Sequence, residues 1–288
     1  MKKQEYIDMW IVAWLSVSQI EQILCSVLGV SRERLFQMSE ISSRYLYEVQ
    51  KKFFDITNGT PTEYALEKAN FYGREFYINQ GVLIPRNDTE FLAQKAIEII
   101  NTHIQPSDYV YIDIGTGSAC IPITLVEEMY PLVFSQIYAI DISSQALEVA
   151  QKNIERFDMS QKIETLESDI LTALSHNSEL EWKNLFLTAN LPYIKNGDCE
   201  NMDSSVILHE PDTALYGGNK TGFELYERLI KQCFSLKKIL SLKNIILIIE
   251  IGFDQKETSA RFLEELWLRF EYFQDNATID RGIVIEWF

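Results

Sequence analysis

A chain of 288 residues is long enough for one large α/β domain and a smaller companion, and 47% hydrophobic content with 12% aromatic marks it as globular, not disordered. With 42 acidic against 26 basic residues the formal charge is −16; such a surface repels phosphate backbones, so direct nucleic-acid binding is not expected and a basic protein partner is easier to attract. Cys25, Cys120, Cys199 and Cys233 are scattered, and His103, His176 and His209 lack ligand spacing, so neither a metal site nor a disulfide framework is expected.

Glu5 and Asp8 interrupt the segment after Lys2-Lys3, which excludes a signal sequence there, and the run Ile245 to Ile249 is far too short to span a bilayer. No membrane partner is expected, and the location expected is cytoplasmic.

Residues 1 to 57 show helical spacing. Trp10, Trp14 and Val17 recur at three to four residues, as do Ile20, Ile23, Leu24, Val27 and Leu28, with Gly29 as the stop. Helical stretches follow near Ser31 to Met38 and Ser42 to Phe54, and Asn58-Gly59-Thr60-Pro61 is the first strong break. A small helical domain over 1–57 is therefore expected, then a connector and hairpin over 58–80 built on Phe71-Tyr72, Gly73 and Phe76-Tyr77-Ile78.

The remainder, 81–288, alternates strands with helices. A helix is expected to start at Asn87, with Glu90 completing a capping box. Strands are expected over Val110 to Ile114, Ile137 to Ile140, Ile163 to Leu166, Leu185 to Ala189, Ile245 to Ile251 and Gly282 to Trp287, with helices from about Ser118 and over Ser144 to Phe157. This order predicts a Rossmann-like, doubly wound parallel sheet.

The turn after the first of these strands reads Gly115-Thr116-Gly117-Ser118-Ala119-Cys120, and a dinucleotide fingerprint would place glycine at Cys120. What remains is an acid-x-Gly-x-Gly turn, in which the glycines admit the ligand to the backbone and Asp113 addresses an ammonium. S-adenosylmethionine carries such a group. Asp141, ending the next strand, is placed to accept ribose hydroxyls, and Asp169 and Ile170, after the third, to meet adenine; helix capping is the competing role for both acids.

Asn190-Leu191-Pro192-Tyr193, after the fourth strand, supplies the second half of the chemistry. The Asn190 Oδ1 and the Leu191 carbonyl would each accept one N–H of a planar NH2 group, Pro192 would stiffen the turn and Tyr193 would stack on the substrate plane. Asn190 thus borders both pockets.

These residues sit in strings that resemble the release factor glutamine methyltransferases, the HemK/PrmC family of protein-(glutamine-N5) methyltransferases. The strings are Gly59-Thr-Pro-Thr-Glu-Tyr64, Val82-Leu-Ile-Pro-Arg-Asn-Asp-Thr-Glu90, Asp113-Ile-Gly-Thr-Gly-Ser-Ala119, Asp141-Ile-Ser-Ser-Gln-Ala-Leu-Glu-Val-Ala150, Ala189-Asn-Leu-Pro-Tyr-Ile194, Glu210-Pro-Asp-Thr-Ala-Leu-Tyr-Gly-Gly218 and Glu250-Ile-Gly252. The resemblance implies S-adenosylmethionine as cofactor, a helical N-terminal domain that grips a peptide chain release factor, and methylation of the glutamine in its Gly-Gly-Gln loop. It places Arg86 and Glu90 near the active site as pocket-wall candidates, with helix capping as the alternative, and gives Glu210 a similar status.

Two positions depart from the family pattern. Leu191 stands where a proline is usual, keeping the carbonyl but freeing the backbone, and Ala119 replaces a third glycine, which is expected to restrict the backbone's approach to the cofactor. Asn-Leu-Pro-Tyr also occurs in rRNA adenine dimethylases, so adenine-N6 methylation of rRNA or DNA is the alternative function, and a non-catalytic cofactor-binding partner in translation is a third. The adenine class would call for a basic face or a target-recognition domain.

Overall fold

The computed structural model describes residues 2–11, 15–104, 109–131, 134–198 and 204–287. Trp14 and Cys199 lie outside them. The chain forms two compact units, Met1–Lys68 with Asp203–His209, and Ala69–Met202 with Glu210–Phe288.

The first unit is helical: α1 (Lys3–Ile11), α2 (Val17–Leu28), α3 (Arg32–Gln37), α4 (Leu46–Thr57) and α5 (Thr62–Leu66). Ser16 caps α2 in a reciprocal capping box with Gln19, and Gly29 stops it in the left-handed region at φ 64. Trp10 and Val17 therefore belong to different helices, and Val17 is exposed instead of facing the core. Ile20, Ile23, Leu24 and Val27 of α2 pack with Val49 and Phe53 of α4, and Trp10 stacks on Phe53 at 4.4 Å. Each such burial contributes about 1.5–3 kcal/mol. Because α5 packs against α2 and α4, this unit runs to Lys68, past the expected boundary at 57.

The second unit opens with the hairpin β1 (Lys68–Phe71) and β2 (Arg74–Tyr77), turned by Tyr72 and Gly73, both at positive φ as a two-residue hairpin requires. There follow α6 (Asn87–His103), β3 (Tyr109–Ile114), α7 (Cys120–Glu128), β4 (Gln136–Asp141), α8 (Ser144–Arg156), β5 (Glu164–Glu167), β6 (Asn184–Ala189) and β7 (Ile194–Lys195). After α9 (Ser204–His209), which groups with the first unit, come β8 (Tyr216–Gly218), α10 (Glu224–Ile239), β9 (Ile245–Glu250), α11 (Lys256–Glu265), β10 (Arg269–Gln274) and β11 (Asp280–Trp287).

Seven strands form the central sheet in the order β10-β11-β9-β6-β3-β4-β5. Every residue of β3, β6 and β9 is buried, as strands covered on both faces must be. The expected all-parallel sheet has one reversed strand. β11 runs antiparallel to both β9 and β10, because only the short Asp275–Ile279 turn joins it to β10 and a parallel crossover needs a dozen residues or more.

The parallel register decides what meets at the rim. Ile114 pairs with Ile140 and with Ala189, and Ala189 pairs with Ile249. The next residues along those four strands are Gly115, Asp141, Asn190 and Glu250, which therefore form one row at the carboxyl end of the sheet, where open α/β sheets bind ligands.

Candidate active site

Behind this row lies a cavity of about 300 Å³ lined in part by Gly115, Gly117, Asp141, Asp169, Ile170 and Leu191. Gly115 and Gly117 have φ 71 and 53, and a Cβ on Gly117 would meet nothing within 4 Å, so glycine leaves space at the turn for a ligand to approach the backbone. Thr116 and Ser118 are buried bracing residues: the Thr116 amide donates to the Ile140 carbonyl at 2.9 Å, and the Ser118 carbonyl accepts from Asn153 Nδ2 at 2.9 Å. Ala119 does not line the cavity. It is fully buried at φ 59, so the departure from glycine costs about 1 kcal/mol of backbone strain and does not narrow the pocket as expected.

Asp113 is enclosed beneath the turn. The β3–β6 register sets Thr188 opposite it, and Thr188 Oγ1 donates to Oδ1 at 2.5 Å, whereas Oδ2 has no hydrogen-bond partner among the described residues. Burial pushes the carboxyl up to about 6, with the Thr188 hydroxyl opposing. A buried acid with an unsatisfied oxygen is short of a cation.

Asp141 accepts the Gly117 amide on Oδ2 at 3.0 Å and the Ser143 amide on Oδ1 at 2.9 Å. It is not the helix cap, because Ser143 caps α8 by accepting from the Ala146 amide. Each carboxylate oxygen retains capacity for a further hydrogen bond at the cavity wall. Asp169 lines the cavity, and Arg228 of α10 donates to its Oδ2 at 2.5 Å, so an ion pair occupies one oxygen of the acid expected to face adenine. Ile170 is buried at φ 56 and supplies an apolar wall.

In the acceptor turn, Asn190 Nδ2 donates to Thr89 Oγ1 at 2.9 Å, and Oδ1 takes no hydrogen bond among the described residues. Tyr226 brackets Leu191: the Leu191 amide donates to Tyr226 Oη at 2.9 Å, and Tyr226 Oη donates to the Leu191 carbonyl at 3.2 Å. That carbonyl keeps one lone pair for a substrate. Leu191 and Pro192 both border the cavity, and the Tyr193 carbonyl is held by Gln255 Nε2 at 2.9 Å.

Several neighbours come from two of the strings that carry the family resemblance. The Glu210–Gly218 segment turns back so that Gly217 packs on the Pro192 backbone, where a Cβ would stand 2.2 Å from the Pro192 carbonyl oxygen. Val82 and Leu83 line the cavity. Arg86, Glu90 and Glu210 do not. Arg86 pairs with the buried Glu210 at 2.5 Å, and Glu90 accepts the Tyr72 amide at 2.7 Å, anchoring the hairpin. The capping box at Asn87 is absent: Asn87 is already helical, and Arg86 stands at the cap without a side-chain bond.

Among the described residues no group of histidines, cysteines and acids has the arrangement of a metal site, and no helix is long and apolar enough to cross a membrane. A family model described as "Methyltransferase domain" matches residues 93–184. Proteins named release factor glutamine methyltransferase match most of the chain. The one from Bacillus cereus is 32% identical, covering 85% of this chain and 83% of its own; the one from Dictyoglomus turgidum is 35% identical, covering 83% and 78%; that from Aquifex aeolicus is 30% identical, covering 92% and 89%. The chain belongs to the release factor glutamine methyltransferase family.

This methyltransferase takes S-adenosylmethionine as its cofactor. Its residues fit that group: an open glycine turn, an unsatisfied buried acid for an ammonium and an acid with spare acceptors at the second strand end. The fold is shared more widely, with a human methyltransferase 10 domain containing protein (TM-score 0.51, 18% identical, covering 86% of this chain and 98% of that one). It is shared too with the hMettl16 catalytic domain in complex with a MAT2A 3'UTR hairpin (TM-score 0.53, 16% identical, covering 83% and 80%).

Proposed function

We propose that this chain transfers a methyl group from S-adenosylmethionine to the side-chain amide nitrogen of the glutamine in the Gly-Gly-Gln motif of peptide chain release factors. The observation that carries the reading is the Asn190 amide, anchored through Nδ2 to Thr89 and leaving Oδ1 to accept, in a turn whose next two residues border the cofactor cavity. When bound, S-adenosylmethionine supplies an electrophilic methyl group on a sulfonium.

The rest falls to this chain's residues. Asp113 would meet the ammonium, Asp141 the ribose hydroxyls, and Gly115, Gly117 and Ile170 would enclose the remainder, with Asp169 contributing its unpaired oxygen. An amide nitrogen is a weak nucleophile because its lone pair is delocalised. Asn190 Oδ1 and the Leu191 carbonyl would each accept one N–H, fixing the nitrogen so that its lone pair faces the cavity; positioning of this kind supplies much of a rate without a general base. Pro192 stiffens the turn and Tyr193 flanks the substrate plane. The helical first unit serves as a second surface for the folded factor, whose binding energy helps seat the glutamine.

Asp141→Ala is expected to weaken cofactor binding about tenfold or more, through loss of charge-assisted hydrogen bonds, with little effect on kcat at saturating cofactor. Calorimetry decides it; unchanged affinity would reduce Asp141 to a brace for Gly117. The function itself is tested by labelled-methyl transfer into a release factor and into its Gln→Asn variant in the Gly-Gly-Gln loop. Label in the first alone supports the reading, and equal label in both removes it.

A further inference from the structure

One buried amide stands outside the cofactor cavity yet grips the acceptor turn. Gln255, 3% exposed, occupies the N-cap of α11, where a side chain ordinarily folds back onto the first helix amides, but it makes no such bond. Its carboxamide turns instead to three backbone groups outside the helix. Nε2 donates to the Tyr193 carbonyl at 2.9 Å and to the Thr221 carbonyl at 3.2 Å, and Oε1 accepts the Gly252 amide at 3.1 Å.

These partners fix the carboxamide's orientation, because a flip would set its NH2 against the Gly252 amide and its oxygen against two carbonyls. The loop that carries Thr221 presses on the same carbonyl: Gly222 has φ 77, and a Cβ there would collide with the Tyr193 oxygen.

Tyr193 is thereby held from two sides. Its carbonyl, at the root of the residue, is bound by Nε2. Its ring rests on Gly252, where a Cβ would stand 3.3 Å from Cδ2, and Oε1 holds the amide of that same glycine. The Tyr193 hydroxyl donates to Glu250 Oε1 at 3.3 Å, which ties down the far end of the ring. One side chain thus sets both the root of the ring and its seat.

We propose that Gln255 is a positioning residue for methyl transfer, acting through Tyr193 by holding its ring against the plane of the acceptor amide. This rests on the stacking role given to Tyr193 above. Without the carboxamide, the Tyr193 carbonyl and the Gly252 amide lose their shared partner together and the ring tilts. The cofactor turn keeps its shape, because the Ile140 carbonyl and Asn153 brace it separately.

The test is a double-mutant cycle on the single-turnover rate at saturating cofactor and factor, in the wild type, Gln255→Met, Tyr193→Ala and the double variant, with cofactor affinity measured in each. Methionine keeps the length of the side chain without its hydrogen bonds. Gln255→Met should slow transfer about tenfold, short of the roughly hundredfold that an ångström of misplacement costs, with cofactor affinity within about twofold. In the Tyr193→Ala background the same change should cost less than about twofold, because no ring remains to be placed. An equal loss in both backgrounds, or wild-type transfer by Gln255→Met, overturns the proposal, while slow transfer by Tyr193→Ala leaves the stacking reading standing. Wild-type transfer by Tyr193→Ala removes both. Should Gln255→Met not fold, Gly252→Ala decides in its place. Gly252 lies outside the left-handed region, so the added methyl group acts by crowding the ring, and transfer should slow about threefold; an unchanged rate overturns the proposal.

Discussion

Asn190→Ala should lower kcat by about a thousandfold, the scale of losing an oriented hydrogen-bonding group at a reacting centre, while cofactor affinity stays within a few fold. The asymmetry follows from the hydrogen bonds. Asn190 Nδ2 is spent on Thr89, so the open Oδ1 serves the acceptor, and the cofactor turn is braced independently by Asp141, the Ile140 carbonyl and Asn153. Single-turnover transfer alongside calorimetry of cofactor binding separates the two. A variant that transfers at near wild-type rate would remove Asn190 from the chemistry, and one that loses cofactor affinity in proportion would make it part of the cofactor wall.

Gly217→Ala should be the most damaging single methyl. Its Cβ would stand 2.2 Å from the carbonyl oxygens of both Pro192 and Gly222, well inside van der Waals contact, and both obstacles are backbone. Strands β7 and β8 pair just there, Ile194 with Tyr216, so relief requires moving the acceptor turn itself. A cost of about 2–4 kcal/mol follows, lowering the thermal midpoint by roughly 5–10 °C and displacing Pro192 and Tyr193. Differential scanning calorimetry and kcat should fall together. An unchanged midpoint would show that the loop yields cheaply and that the tight packing has no bearing on the turn.

The sequence makes the buried strands legible because β3, β6 and β9 are largely apolar, interrupted by Asp113 in β3 and by Asn184 and Thr188 in β6, and it makes their rim residues legible because a glycine, an amide or an acid stands at the end of each. β10 escapes the same reading. Its sequence Arg-Phe-Glu-Tyr-Phe-Gln lies at the sheet edge with no residue fully buried, so no apolar run marks it. Arg228 and Tyr226 reach the site from a helix whose local pattern is that of any amphipathic helix, and nothing near them in sequence connects them to Asp169 or Leu191. Ala119 shows the limit of motif comparison: a missing glycine reads as a narrowed pocket, but the methyl group points into the core and the cost is torsional. Glu250 belonged to a recognised string, yet its proximity to Asn190, 60 positions earlier, comes from strand register.

Peptide mass spectrometry of a full-length release factor treated with the enzyme and S-adenosylmethionine tests the central claim most directly. One added methyl group on the side chain of the Gly-Gly-Gln glutamine, absent with the Asn190→Ala enzyme, is the result predicted. An unmodified factor, alongside methylated adenine in rRNA or DNA from the same reaction, would contradict it.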